Sequence, residues 1–322
     1  IILGGLHMLT KRFYLSFTLL LMLFLVSACS NSNDTQKEKS TDKKNAEVTL
    51  TDAKGEVTIP ANPKRIIAPY LEDSLVALGV KPAAQWSIGD TVLDYLQPEL
   101  KDVPKIGWDL PLEQAINNNP DLIIFSSPSA IQKGQYEEYK KIAPTYVYKD
   151  EVSADWRKQL TQMGEILSKQ EEAKDALANY DTKVADAKAK VNDAIGDETA
   201  AILWVMADKF YLMENNRFSA NVLYGDLGIK QPAFVEGLGG AAVQWDPIAL
   251  EKLPEIKADH IFLVSKKGEA GLDVLAKSSI WNGLDAVKNG YVYEMNDPSN
   301  WTINGLKASE KTIDEVVNAL KK

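Results

Sequence analysis

Short apolar segments alternate with amphipathic segments along most of this chain. Residues 65–68 and 121–125 are two such apolar segments, and both are followed by polar or turn-forming residues. Apolar runs of this length, bounded by turn residues, are typical of buried strands. Their alternation with helical periodicity favours strand–helix units and a mainly parallel sheet. The pattern therefore predicts an α/β protein.

The chain also contains two copies of one helix–strand unit. Glu113 lies eight residues before the apolar segment that starts at Asp121, and Glu251 lies eight residues before the one that starts at Asp259. Two further pairs of segments recur in the same order, namely 78–83 with 227–233 and 145–148 with 290–293. Because internal similarity indicates repeated structural units, we expect two similar lobes with a cleft between them.

A long amphipathic helix is predicted between the two lobes. Its apolar positions are spaced alternately four and three residues apart, which keeps them on one side of a helix. They are Ala173, Leu177, Tyr180, Val184, Ala187, Val191 and Ala194. Gly196 is a good terminator for this helix. We therefore expect a first lobe at residues 47–168, a connecting helix of about 40 Å at 169–196, and a second lobe at 197–322.

The N-terminal residues have the layout of an export signal followed by a polar tether. Lys11 and Arg12 precede an apolar run at residues 13–26. A transmembrane helix needs about 20 apolar residues, and this run is shorter, so an uncleaved anchor is the less favoured alternative. We expect Met8 to be the true start, with residues 1–7 as upstream sequence. The polar composition of residues 30–45 predicts a disordered tether.

Composition narrows the class of protein. The chain has 45% hydrophobic and 25% charged residues, as a globular protein does, and its net charge of −9 makes nucleic acid an unfavourable partner. The two histidines, His7 and His260, are too few for a typical zinc or manganese site. No sequence motif of a nucleophilic, zinc-dependent or phosphate-binding enzyme is present. Carboxylate chemistry remains as an alternative, with Glu113 and Glu251 facing each other as in a glycoside hydrolase.

Several separated motifs resemble one family, the siderophore- and cobalamin-binding proteins of ABC transporters. The resemblance covers roughly residues 47–320 and is carried by the segments 63–67, 78–82, 105–107, 120–123 and 280–288. It implies an α/β fold of two Rossmann-like lobes joined by one long α-helix, with the ligand cleft between the lobes. The region around Cys29 is similar to a bacterial lipobox, which implies a lipoprotein signal peptide at residues 1–28 and a lipidated Cys29 that starts a tether at 29–46.

Within that family, the chain looks most like the iron–siderophore lipoproteins of Gram-positive bacteria, especially the hydroxamate binders. The resemblance implies a monomeric, non-enzymatic protein that is anchored by its lipid (palmitate) at the extracellular face of the cell membrane. It would deliver a ferric siderophore to an ABC permease with its ATPase, and would bind iron only through the siderophore, without a cofactor. Glu113 and Glu251 match the family's permease-docking positions. Ferric citrate, a catecholate, haem and cobalamin remain alternative ligands.

The predicted ligand site is an aromatic surface in the cleft. A ferric siderophore is bulky and polar, so a receptor should offer flat aromatic faces and a few donors or cations. Tyr70 directly follows a predicted strand, and four of the seven tryptophans lie in loop-like segments. These predicted ligand-binding tryptophans are Trp86, Trp108, Trp245 and Trp301. The remaining Trp156, Trp204 and Trp281 are predicted to pack in the core.

Arginine is scarce, which bears on the ligand. Arg217 is predicted to lie in a cleft-facing loop of the second lobe. Hydroxamate binders of the family carry an arginine in this loop, and an ungapped match places that arginine on Phe218, so both residues are candidates. A trianionic catecholate or a citrate-rich chelate usually needs several cationic side chains. One candidate arginine therefore favours a hydroxamate complex of low net charge.

Overall fold

The computed structural model describes residues 46–240, 245 and 247–321. The predicted signal peptide, Cys29 and most of the predicted tether lie outside the described residues. None of the helices in the described part is long and apolar enough to cross a membrane. Residues Val48–Lys322 form one compact unit.

Strands and helices alternate through the first lobe. The strands are β1 (Val48–Thr51), β2 (Glu56–Ile59), β3 (Ile66–Ile67), β4 (Gln85–Ser87), β5 (Lys105–Gly107), β6 (Leu122–Phe125) and β7 (Thr145–Val147). The helices are α1 (Glu72–Ala77), α2 (Gln97–Leu100), α3 (Leu112–Asn117), α4 (Tyr136–Ile142), α5 (Asp150–Ser153) and α6 (Trp156–Ile166). Short 3-10 turns lie at Asp94–Leu96, Pro128–Ala130 and Gln132–Gly134.

The sheet of the first lobe is doubly wound. β3, β6 and β7 pair in parallel in that order, and β4 pairs in parallel with β5. A parallel bridge between Ile67 and Ala84 connects the two groups. The combined order β5–β4–β3–β6–β7 changes direction between β3 and β6, which creates the crevice where open α/β sheets bind ligands. β1 and β2 form a separate antiparallel hairpin.

The connecting helix α7 (Gln170–Ile195) has the predicted position and ends at Gly196, whose φ of +53° suits glycine. The predicted apolar stripe is confirmed at its centre, where Tyr180 and Ala187 are buried. The prediction for the last position is wrong, because Ile195 is buried and Ala194 is exposed. A seven-residue spacing drifts by about 20° per repeat in a straight helix, so the buried stripe moves on by one residue.

The second lobe follows α7. Its strands are β8 (Ala200–Met206), β9 (Lys209–Leu212), β10 (Pro247–Ile248), β11 (His260–Ser265) and β12 (Val292–Met295). Its helices are α8 (Ala233–Gly237), α9 (Leu253–Ile256), α10 (Ala270–Lys277), α11 (Ser279–Asn282), α12 (Asp285–Lys288) and α13 (Leu306–Leu320), with a π-helical segment at Asn221–Asp226 and a 3-10 turn at Leu250–Lys252. The sheet order is β10–β9–β8–β11–β12, in which β8, β11 and β12 are parallel.

The internal repeat corresponds to matched structural units. Glu113 lies in the first turn of α3 and Glu251 in the first turn of the segment Leu250–Lys252, and parallel strands β6 and β11 follow them. Gly79 and Gly228 end the preceding helices with nearly equal φ values of +70° and +71°. The predicted duplication of helix-then-strand units is therefore confirmed.

One hydrophobic core extends from the first lobe to the second. It joins residues of β3 and β6 to residues of β8 and β11 through the buried faces of α7 and α13. Helix α13 packs against α7, α6 and α1, so the C-terminal helix returns to the first lobe. The side chain of Asp73 in α1 accepts hydrogen bonds from the backbone N–H groups of Lys307 (3.0 Å) and Ala308 (2.9 Å) at the start of α13. The lobes are thus linked at α7 and again at α13.

Candidate functional site

A cavity of about 730 Å³ lies between the two lobes, a size typical of small-molecule sites. It lies at the carboxyl ends of parallel strands from both sheets. Ser126 and Ser127 follow β6, Val205 and Met206 end β8, and Lys266 follows β11. Ligands bind at this edge of open α/β sheets. The cavity is therefore the candidate functional site.

Tyr70 and Trp86 form the aromatic wall of the first lobe. Tyr70 follows β3, is 38% exposed, and its ring centroid lies 5.0 Å from that of Trp86. The backbone of Tyr70 has φ +67°, a left-handed conformation that is strained for a bulky residue. Such strain concentrates at binding sites, where the surrounding structure enforces it. Here it turns the phenol ring towards the cavity, as predicted for a residue at this strand end.

A buried carboxyl group, that of Glu72, supports this aromatic wall through the backbone of Trp86. Glu72 is fully buried, and its Oε1 accepts a hydrogen bond of 2.7 Å from the backbone N–H of Trp86. Within the described part of the chain, Glu72 Oε2 and Trp86 Nε1 have no hydrogen-bond partner. Burial raises the pKa of Glu72 to about 7, because the charged form loses its hydration, although the bond from Trp86 partly opposes this shift.

The raised pKa of Glu72 predicts a pH dependence of stability. Because the folded-state pKa of about 7 lies above the ordinary value of 4.5, the folded protein holds this proton more tightly than the unfolded chain. The unfolding free energy should therefore decrease as pH rises from about 5 to about 8, by up to about 3 kcal/mol from this group. Glu72→Gln should remove that part of the decrease.

Urea unfolding of both proteins across this pH range checks the prediction. Burial also raises the pKa of Asp73, which adds a slope of the same sign to both proteins. The difference between the wild type and Glu72→Gln is therefore the quantity to compare. Parallel curves for the two proteins would contradict the role of Glu72.

The second lobe contributes a larger aromatic cluster. Trp204, Phe218 and Trp245 line the cavity. The Trp245 ring lies edge-on to Trp204 at 5.0 Å and is stacked with Phe218 at 6.1 Å between centroids. Tyr70, Trp86, Phe218 and Trp245 were predicted for the site from the sequence, and the structure brings them around one cavity. Their contact with a ligand stays a prediction.

Arg217 supports this cluster rather than lining the cavity. It is 6% exposed, and its guanidinium donates to both carboxylate oxygens of Glu214, at 2.5 and 2.8 Å. Its Cζ lies 4.1 Å from the ring centroid of Trp245, within cation–π distance. Of the two candidates in this loop, Phe218 lines the cavity and Arg217 lies behind Trp245.

The structure corrects the prediction for Trp301. Trp301 is fully buried, and its Nε1 donates a 2.7 Å hydrogen bond to Glu315 of α13 while its ring stacks on Phe262. The polar residues around Trp301 indicated a loop, but its backbone N–H bonds to Pro298 O in a turn, and the ring packs in the core. Trp204 packs against the core, as predicted, and it also lines the cavity. Trp156 and Trp281 do pack against the core, as predicted.

Trp108, a predicted ligand contact, and the two predicted docking glutamates lie outside the described lining of the cavity. Trp108 is 47% exposed and is not among the described residues that line it. Glu113 and Glu251 are exposed and are likewise absent from the described lining. Neither glutamate side chain makes a hydrogen bond or ion pair within the described part of the chain. This arrangement gives no support to a catalytic pair across the cleft.

The sequence analysis did not identify most of the polar residues that line the cavity. Hydroxyl and amide groups line it at Thr91, Ser126, Ser127, Ser153, Gln159, Ser299, Thr302 and Asn304. Lys266 and Glu269 are the charged residues of the described lining. Ser126, Ser127 and Lys266 directly follow strands β6 and β11, and that position was the available sequence signal for these three. Among the described residues, no group of His, Cys, Asp or Glu side chains could hold a metal ion.

Comparison with known proteins identifies the family. Residues 71–298 match the model of the family described as "Periplasmic binding protein". The chain is 29% identical to the iron(3+)-hydroxamate-binding protein YxeB of Bacillus subtilis, over 97% of both chains. It is 30% identical to the iron(3+)-hydroxamate-binding protein FhuD of the same organism, over 97% of this chain and 98% of FhuD.

A solved structure supports the same conclusion. The crystal structure of Staphylococcus aureus SirA complexed with staphyloferrin B has a TM-score of 0.71 and 29% identity, and it covers 85% of this chain and 98% of SirA. The predicted fold of two Rossmann-like lobes with a cleft between them is confirmed by this similarity and by the two sheets. This chain belongs to the periplasmic binding protein family.

Proposed function

We propose that this protein is the substrate-binding component of an ABC importer and that it captures a ferric siderophore in the cavity between its lobes. The observation that carries the proposal is the aromatic lining contributed by both lobes, with Tyr70 and Trp86 on one side and Trp204, Phe218 and Trp245 on the other. Flat aromatic faces with interspersed hydroxyl groups suit a bulky chelate whose surface is both apolar and polar.

A hydroxamate siderophore is the proposed ligand class. Three hydroxamate groups neutralise ferric iron, whereas three catecholate groups leave a trianionic complex. The described lining contains Lys266 as its cation and Glu269 as its anion, which balance each other. The hydroxamate-binding names of two relatives support the same class. Ferric citrate, a catecholate, haem and cobalamin are the alternative ligands of this architecture.

Fluorescence titrations test this function directly. Tryptophans line the cavity, so binding of a ferric chelate should quench the intrinsic fluorescence of the purified protein. We expect saturable quenching by a ferric hydroxamate at lower concentrations than by ferric citrate or a ferric catecholate. A preference for one of the other chelates would replace the hydroxamate assignment, and the absence of quenching by every chelate would contradict the proposed function.

The cellular setting is part of the proposal. Lipidation of Cys29 would hold the monomeric protein at the extracellular face of the cell membrane, where it would meet a permease with its ATPase. Mass spectrometry of the N-terminal peptide after membrane extraction tests the anchor. We propose no enzymatic activity, since Glu113 and Glu251 are absent from the described cavity lining.

Substitutions in the aromatic cluster of the second lobe should weaken ligand binding to different extents. Trp245→Ala removes a cavity face directly and should weaken binding of a ferric hydroxamate by at least about tenfold, as loss of a central aromatic anchor does. Arg217→Ala should weaken it less, by about threefold, because Arg217 acts by supporting Trp245.

Isothermal titration calorimetry measures both effects without relying on tryptophan emission. Trp281→Phe is a suitable control, because Trp281 packs in the core of the second lobe away from the cavity. A larger loss for Arg217→Ala than for Trp245→Ala would instead indicate that the guanidinium reaches the chelate.

A further inference from the structure

An ion pair at the rim of the cavity connects the two lobes. Lys266 Nζ, from the segment after β11, lies 3.6 Å from Asp94 Oδ2 of the first lobe, and both side chains are about half exposed, at 44% and 46%. We call Asp94 and Lys266 the rim pair. Lys266 lines the cavity, so the charge of this pair faces any ligand that enters.

The segment that carries Asp94 is held in place against the second lobe. The backbone N–H of Tyr95 donates to Ser299 Oγ (3.1 Å), and Tyr95 OH donates to the buried Asp73 (2.8 Å). Ser299 in turn donates to Asp297. These bonds hold the backbone next to Asp94, whose carboxylate lies 3.6 Å from Lys266 Nζ.

The charges around the cavity favour uncharged chelates. Lys266 is paired with Asp94, and Glu269 is the other charged residue of the described lining; its Oε2 accepts a 2.6 Å bond from the backbone N–H of Ala207. The described groups at this site thus sum to one excess negative charge. An anionic chelate meets that charge in a partly desolvated cleft, where repulsion is stronger than in water.

From this geometry we propose that the rim pair determines specificity by chelate charge. Lys266 faces the chelate, and Asp94 holds Lys266 and adds the negative charge that rejects polyanionic chelates. This inference rests on the proposed function, because it assumes that the cavity binds a ferric chelate, and it adds the residues that select among chelates.

Binding of two chelates of different charge tests the proposal. The probes are ferrichrome, an uncharged trihydroxamate, and a trianionic ferric tris-catecholate. Asp94→Asn should raise affinity for the tris-catecholate by about tenfold and leave ferrichrome affinity within about twofold. The gain should shrink in high salt, because screening weakens partly exposed charges.

Matched controls separate a local charge effect from a general one. Asp102→Asn removes an exposed carboxylate of the first lobe, and Lys267→Gln removes an exposed lysine next to Lys266. Both should leave the preference between the two chelates unchanged. Lys266→Gln should lower tris-catecholate affinity further, since it leaves Asp94 and Glu269 without their cation.

The outcomes distinguish this inference from the proposed function. If ferrichrome binds and Asp94→Asn leaves the preference between the two chelates unchanged, the rim pair does not select by charge and the proposed function stands. If Asp102→Asn produces the same gain as Asp94→Asn, overall charge rather than the rim pair explains it, and the inference is overturned. If the wild type binds neither chelate nor any other ferric complex, both the function and the inference are contradicted.

Discussion

Replacing Asp73 with alanine is expected to lower the unfolding free energy by about 4 kcal/mol, a severe loss for a single domain-sized protein. The Asp73 carboxyl group is fully buried and accepts three hydrogen bonds, from the backbone N–H groups of Lys307 and Ala308 and from Tyr95 OH. The Asp73 side chain, from α1 in the first lobe, therefore caps the N-terminus of α13. Alanine removes the acceptor of all three donors, of which the Ala308 N–H is buried and the other two are partly buried. Each unsatisfied buried group costs about 1–3 kcal/mol, partly offset because the buried charge is also removed.

The same contact can be broken from its other side. A Cβ atom at Gly305 would lie 2.2 Å from Asp73 Cγ, so Gly305→Ala must displace either the carboxyl group or the start of α13. We expect it to destabilise the protein by a similar amount, and Asp73→Asn, which keeps one acceptor, to lie between alanine and the wild type. Chemical denaturation monitored by circular dichroism measures each change.

A control variant distinguishes loss of the buried cap from loss of any carboxylate. Asp102 is an exposed carboxylate of the same lobe, so Asp102→Ala should change stability by less than about 0.5 kcal/mol. If Asp73→Ala proved equally mild, the cap would contribute little to stability, and the hydrophobic contacts of α13 alone would join it to the first lobe.

Much of the fold was predictable because local patterns and long-range pairing agree. The repeated helix–strand units that contain Glu113 and Glu251 indicated two lobes, and the apolar stripe of α7 indicated the helix that connects them. The return of α13 to the first lobe was not predictable, because it depends on Asp73 meeting backbone N–H groups more than 230 residues away in the chain. No periodicity encodes such a contact.

The candidate site was predictable only in part, because a residue's burial depends on tertiary packing. Tyr70 and Trp86 follow or belong to short strands, and their positions at the sheet edge followed from topology. Trp301 has polar neighbours along the chain, yet α13 supplies Glu315 for its indole N–H and thereby allows full burial. Lys266 carried no motif, and its ion pair with Asp94 depends on how the two lobes pack.

Changing both Glu113 and Glu251 to alanine should lower uptake of the ferric siderophore by more than about tenfold, while the affinity of the purified protein for the ligand stays unchanged. The two side chains are exposed, lie in the first turns of corresponding helical segments, and are absent from the described lining of the cavity. Exposed carboxylates that have no hydrogen-bond or ion-pair partner among the described residues suit pairing with cations of a permease, and loss of such charge pairs weakens docking. Uptake of iron-55 chelate by cells carrying each variant measures transport, and calorimetry on the purified variants measures affinity.

A matched double variant distinguishes docking from general loss of charge. Glu99 and Glu236 are also exposed glutamates in the first turns of helices, one in each lobe. The double variant Glu99→Ala, Glu236→Ala removes the same amount of charge. If it takes up the chelate normally and the Glu113 and Glu251 variant does not, the docking contacts lie at the repeated units. Weakened ligand binding in the latter variant would instead assign the two glutamates to the cavity, and retained uptake would show that the permease recognises another surface. The repeat in the sequence would then reflect the shared architecture of the lobes alone.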